Sequence, residues 1–230
     1  MNNFLSKIDL KNTLLNSWKN QLPQIRLTLL ISFAIGLGGI IIVYILSLLM
    51  GVPPAWLTRD PADITGSGSY IGMLSNLGIM GWTATTTICF WAAFLLRQDN
   101  RSRKSMYFLF AFGFLCLLLT FDDTFLFHER ILPRLNIPEN GIFFGYLFIM
   151  VGYLGYFFRR ILKTDYLILI LAFFFLGLSV AMDQILPFSD LESFLEDCPK
   201  FLGIMLWLAY FSRTAFLMVK DSFAGRVVEG

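Results

Sequence analysis

The chain has 230 residues, of which 57% are hydrophobic and 15% charged, with a net charge of +2 and a mean hydropathy of +0.68. A water-soluble domain of this length needs a charged surface that such a composition does not supply, so the sequence predicts an all-α, polytopic membrane protein. The residue alternation of a transmembrane barrel is absent, and with no nucleic-acid motif in the chain no nucleic-acid partner is expected.

Residues 1–26 form a polar, basic segment. Phe4, Ile8, Leu15, Trp18 and Leu22 recur at helical intervals with Lys7, Lys11 and Lys19 between them. This pattern suits a short amphipathic helix lying on the cytoplasmic membrane surface, where lysines meet anionic lipid. An ordinary juxtamembrane segment fits equally well. The apolar run that follows is too long for a signal-peptide core, so no cleavable leader is expected.

Six apolar stretches then recur at 27–50, 70–96, 105–128, 141–158, 166–187 and 197–218. Each can cross a hydrocarbon core of ~30 Å. Together they predict a bundle of six transmembrane helices over 27–218, followed by a cytoplasmic tail at 219–230. Between the first two, residues 51–69 carry Pro53, Pro54, Pro61, Gly66 and Gly68 and read as irregular structure. The second span carries Ser75, Asn76, Thr83, Thr85, Thr86 and Thr87, side chains that bond across helix interfaces in membranes. In the fourth, Gly141, Gly145 and Gly152 predict close helix packing, inside the bundle in preference to a dimer interface. Cys89, Cys116 and Cys198 have no disulfide or metal-binding spacing, and the first two read as buried packing residues.

Charge sets the expected orientation. Lys7, Lys11, Lys19, Arg26, Arg97, Arg101, Arg103, Lys104, Arg159, Arg160, Lys163, Arg213, Lys220 and Arg226 fall on one side of the predicted membrane, leaving Arg59, Arg130, Arg134 and Lys200 on the other. Most of the acidic residues do the reverse. Basic residues are retained in the cytoplasm, so both termini are expected there.

The stretch FDDTFLFHER, residues 121–130, is where chemistry concentrates. It holds Asp122, Asp123, Glu129 and His128, the single histidine of the chain, at the end of an apolar run. An ionisable group at membrane depth costs roughly 2.5–3.5 kcal/mol on insertion scales, so such groups mark functional sites. With the predicted topology, Asp183 at the end of the fifth span and Glu196 and Asp197 at the start of the sixth reach the same outer depth. On one continuous helix, Asp122 and Glu129 would point within about 20° of each other, with His128 above Thr124. No single helix then supplies a compact ligand set, and facing helices must complete it.

Carboxylates with one imidazole suit a divalent metal ion. Asp123 and Asp183 lead as ligands, with Asp122, Glu129, His128, Glu196 and Asp197 beside them. A three-histidine zinc centre is excluded by the histidine count. Asp122 and His128 are the candidates for catalytic acid–base work. Bland roles compete: Asp190, Glu192, Glu196 and Asp197 suit helix caps, Pro199 suits a helix start, Lys200 pairs with Glu196 at i,i+4, and Lys200 or Arg130 can neutralise Asp123 or Asp183.

Three functions fit such a site. The first is a metal-dependent membrane hydrolase or lipid-modifying enzyme facing outward, with a lipid or small molecule of the outer leaflet as its ligand. The second is a cation or proton transporter, and the third a structural or assembly subunit. The almost wholly apolar inner halves of the spans favour the first over the second. Oligomeric state is left open.

Overall fold

Backbone polar groups inside hydrocarbon must pair within their own segment, so apolar runs of this length fold as helices. In the computed structural model, all regular structure among the described residues is helical. Those residues are 23, 26, 27, 30, 33, 34, 36–59, 61–68, 70–99, 102–185 and 190–227; for Asp63, Glu129, Glu139, Asn140, Phe143, 183–185, 190–195 and 225–227 only the backbone is described. The amphipathic helix expected at 4–22 lies outside them. The chain divides into two compact units, Met1–Ile71 and Gly72–Gly230.

In the first unit, the described part of α1 (Gly36–Met50) is apolar and shorter than a full span. Gly51 follows in the left-handed region at φ 64°, and Ser47 Oγ donates to the Val52 carbonyl at 2.7 Å, closing the helix end. The segment expected to be irregular instead forms two short helices, α2 (Ala55–Thr58) and α3 (Pro61–Thr65). Proline explains the correction. Pro54 immediately precedes α2 with helical φ and ψ, and Pro61 opens α3, where its missing N–H costs nothing.

The second unit holds α4 (Met73–Leu96), α5 (Arg103–Phe125), a π-helical segment (Phe127–Ile131), α6 (Leu132–Arg134), α7 (Glu139–Ile161), α8 (Tyr166–Ile185) and α9 (Asp190–Val227). α4, α5 and the Glu196–Ala224 part of α9 are long and apolar enough to cross a membrane, which makes this an integral membrane protein. α4 packs against both α5 and α9, and α8 lies along α9. Their shared core contains Trp82 and Cys89 of α4, Phe108, Phe112 and Cys116 of α5, and Trp207, Tyr210 and Phe211 of α9. The two buried cysteines sit in this core as expected. Trp82 and Trp207 meet edge to face at 5.8 Å, and the Trp207 indole N–H donates to Cys116 Sγ at 3.1 Å.

Close helix approach occurs at different glycines from those expected. A Cβ on Gly203 would lie 3.0 Å from the Leu176 backbone nitrogen, and one on Gly113 would lie 3.0 Å from Cys89 Cβ. Gly145 and Gly152 of α7 have open space at that position, and Gly141 meets only Pro138. Glycine at four-residue spacing permits contact without requiring it, and the principal packing runs through α4, α5, α8 and α9.

The hydroxyls of α4 also depart from expectation. Thr83, Thr85 and Thr87 donate back to the carbonyls of Ile79, Gly81 and Thr83 on their own helix. In hydrocarbon the nearest acceptor is the carbonyl one turn back, which already accepts a backbone N–H and takes the hydroxyl on its second lone pair. α9 begins at Asp190, well before Pro199, so that proline lies inside the helix rather than at its start. It removes the N–H that would have bonded the carbonyl four residues earlier.

Candidate functional site

The two adjacent aspartates of α5 face different neighbours, because successive helical residues are turned by ~100°. Asp122 is 3% exposed and turns towards the segment that follows its own helix. Its Oδ1 accepts the backbone N–H of His128 at 3.0 Å, and its Oδ2 meets His128 Nδ1 at 2.6 Å. His128 is 8% exposed, so the pair is buried. An ionised carboxylate can only accept, so this contact suits a ring that donates through Nδ1.

This contact requires a break in the chain. α5 stops at Phe125, Leu126 takes the left-handed conformation at φ 53° and ψ 47°, and the backbone resumes as the π-helical segment. The expected stacking of His128 above Thr124, and of Glu129 in line with Asp122, assumed one continuous helix. The reversal at Leu126 resets the helical phase and brings His128 back onto Asp122. From α7, the Tyr146 hydroxyl faces the same carboxylate.

Asp123 turns to the other side, where α4 and α9 meet. Its Oδ2 accepts the Trp82 indole N–H at 3.0 Å, and its Oδ1 pairs with Lys200 Nζ at 3.0 Å. The Lys200 side chain is about a third exposed and that of Asp123 is 12% exposed. A small cavity adjoins the pair, walled by Ser75 and Gly78 of α4, Asp123 of α5, and Asp197, Lys200 and Phe201 of α9. At about 10 Å³ it has room for one water.

The structure therefore brings Asp122 to His128 on one face of α5, and on an adjacent face Asp123 to Lys200, with Asp197 lining the same cavity. Glu196 is half-buried on the first turns of α9. Glu129 lies on the π-helical segment and Asp183 on α8, and both side chains lie outside the described residues. Among the described residues, no three His, Cys, Asp or Glu side chains gather as a metal-ion group would.

Sequence reasoning missed Trp82 and Tyr146. An indole N–H in an apolar helix must find an acceptor, so Trp82 carried a signal that only a facing carboxylate makes specific. The opposite end of this unit is closed by polar contacts: Ser102 and Ser222 donate to Asp99, Arg160 to Ser105, and Arg213 to Asp165 at 2.6 Å.

A family model described as "Domain of unknown function (DUF8692)" matches residues 28–214. No curated protein and no solved structure matches the chain.

Proposed function

The chain belongs to this DUF8692 family, and from the site it carries we propose an outward-facing hydrolase or lipid-modifying enzyme of the membrane, working by acid–base catalysis. The buried Asp122–His128 pair carries this reading. Asp122 holds the imidazole through Nδ1 and supports positive charge on the ring, and the proton exchanged with a reacting group passes through Nε2. In ester hydrolysis, Nε2 takes a proton from water as the oxygen bonds to the carbonyl carbon. The C–O bond then breaks, and the imidazolium returns that proton to the leaving alkoxide. Asp123, tied to Trp82 and Lys200, holds α5 against α4 and α9 and so keeps Asp122 turned to His128.

The reading includes six spans with both termini in the cytoplasm and a short interfacial helix before them. This orientation puts the Asp122 end of α5 at the outer leaflet, where lipid headgroups present ester bonds.

A second reading gives the site a divalent ion. Asp123 and Asp197 supply hard oxygen donors on one cavity, beside Lys200. One experiment separates the two. Purified protein is incubated with phosphatidylethanolamine and phosphatidylglycerol vesicles, with and without EDTA, and fatty-acid release is measured. Wild type should release fatty acid, and His128→Gln should lower the rate about a hundredfold to ten-thousandfold. Loss on chelation, restored by a divalent ion and abolished by Asp123→Asn, would favour the metal reading. No release by wild type, or release undiminished by His128→Gln, would overturn the acid–base reading.

A further inference from the structure

Two arginines at the end of this unit opposite the Asp122–His128 pair differ in what balances their charge. Arg213 of α9 donates through Nε to Asp165 at 2.6 Å, so it already has a counter-ion. Arg160, in the last turn of α7, does not. Its Nη2 donates to Ser105, a neutral and buried hydroxyl in the first turn of α5, and its Nε is buried with no hydrogen-bond partner. Among the described residues no carboxylate pairs with it. A lysine so placed could shed its proton, but a guanidinium stays charged. Drawn partly out of water and unmatched by the chain, this charge calls for an anion from outside it.

Such an anion has access, because Arg160 as a whole is only half-buried. Arg103 and Lys104 open α5 and Arg159 precedes Arg160 on α7, and all three are exposed. No side chain caps the start of α5, so that helix end adds its partial positive charge.

We propose that Arg160 and Ser105 form a binding site for the phosphate of an anionic phospholipid, set in the positive potential of Arg103, Lys104 and Arg159. Ser105 holds the guanidinium in place, and its planar fork meets two phosphate oxygens. Two observations choose a lipid over free phosphate. α5 is long and apolar enough to cross the membrane and begins at Arg103, which puts the cluster at headgroup depth. About one turn deeper, Tyr107 of α5 and Phe158 of α7 are exposed, giving acyl chains an apolar surface. In the orientation proposed above, the lipid lies in the cytoplasmic leaflet. None of these residues belongs to the Asp122–His128 site, so the inference stands whether or not that site is catalytic.

Native mass spectrometry of the whole chain tests it, with phosphatidylglycerol or phosphatidylcholine added to the detergent micelles and bound lipid counted on the released protein. Wild type should bind phosphatidylglycerol at least about tenfold more tightly than phosphatidylcholine, and Arg160→Gln should weaken phosphatidylglycerol binding by about tenfold or more. Arg213→Gln removes the same charge from the same end of the unit, but from an arginine that is already paired, and should weaken binding less than about twofold. Wild type with no preference for phosphatidylglycerol would overturn the site, a result that depends on no variant. Equal losses in Arg160→Gln and Arg213→Gln would overturn it too, by showing a diffuse attraction to the basic end. Displacement of the lipid by millimolar inorganic phosphate, but not by sodium chloride of equal ionic strength, would assign the site to free phosphate and overturn the lipid.

Discussion

Asp123 depends on donors from two other helices, Trp82 of α4 and Lys200 of α9. Removing Lys200 leaves a mostly buried carboxylate with its charge uncompensated. Because Lys200 is about a third exposed, the cost lies between surface and fully buried pairs. Lys200→Met should therefore destabilise by about 2 kcal/mol. Adding Asp123→Asn should recover much of that loss, since the remaining groups no longer include a lone charge. Thermal unfolding of the four proteins of the cycle in one detergent checks this, and strictly additive effects would show that the two side chains are uncoupled. The sequence named Lys200 as one possible counter-charge for Asp123, but not the only one. The two residues are 77 positions apart, and nothing local favours Lys200 over Arg130. Asp197 on the same cavity was legible from its depth alone, whereas Trp82 became visible only once α4 was seen facing α5.

At the scale of elements, apolar length predicted the helices well, while their ends and contacts depended on other features. Proline turned the expected irregular loop into α2 and α3, and Leu126 ended α5 before His128. Nothing in a leucine signals a left-handed conformation; the bonds from His128 to Asp122 support it. Glycines show the same division. Gly203→Val places a side chain against the Leu176 backbone, which cannot rotate away, and should destabilise by about 1–3 kcal/mol. Gly145→Val faces open space and should change thermal stability by less than about 0.5 kcal/mol. Equal effects at both positions would show that α7 packs more closely than its surroundings indicate.

For the whole molecule, the proposed orientation can be read by labelling single cysteines with a membrane-impermeant maleimide in a chain whose own cysteines are replaced. Ser67→Cys and Ile137→Cys should label in sealed cells, and Lys163→Cys only after permeabilisation. Labelling of Lys163→Cys in sealed cells would invert the topology and place the Asp122 end of α5 in the cytoplasm.

By itself the sequence determined that this is a helical integral membrane protein with a cluster of ionisable groups at the end of an apolar run, residues 121–130. Both follow from local properties, the length of an apolar run and the cost of charge within it. Which groups meet was decided only by tertiary structure. The backbone reversal at Leu126 brings His128 onto Asp122, and the convergence of α4, α5 and α9 brings Trp82 and Lys200 to Asp123, with Asp197 lining the same cavity. Helical spacing determines where a side chain points on its own helix. The partner it finds depends on where that helix ends and which other helices pack beside it.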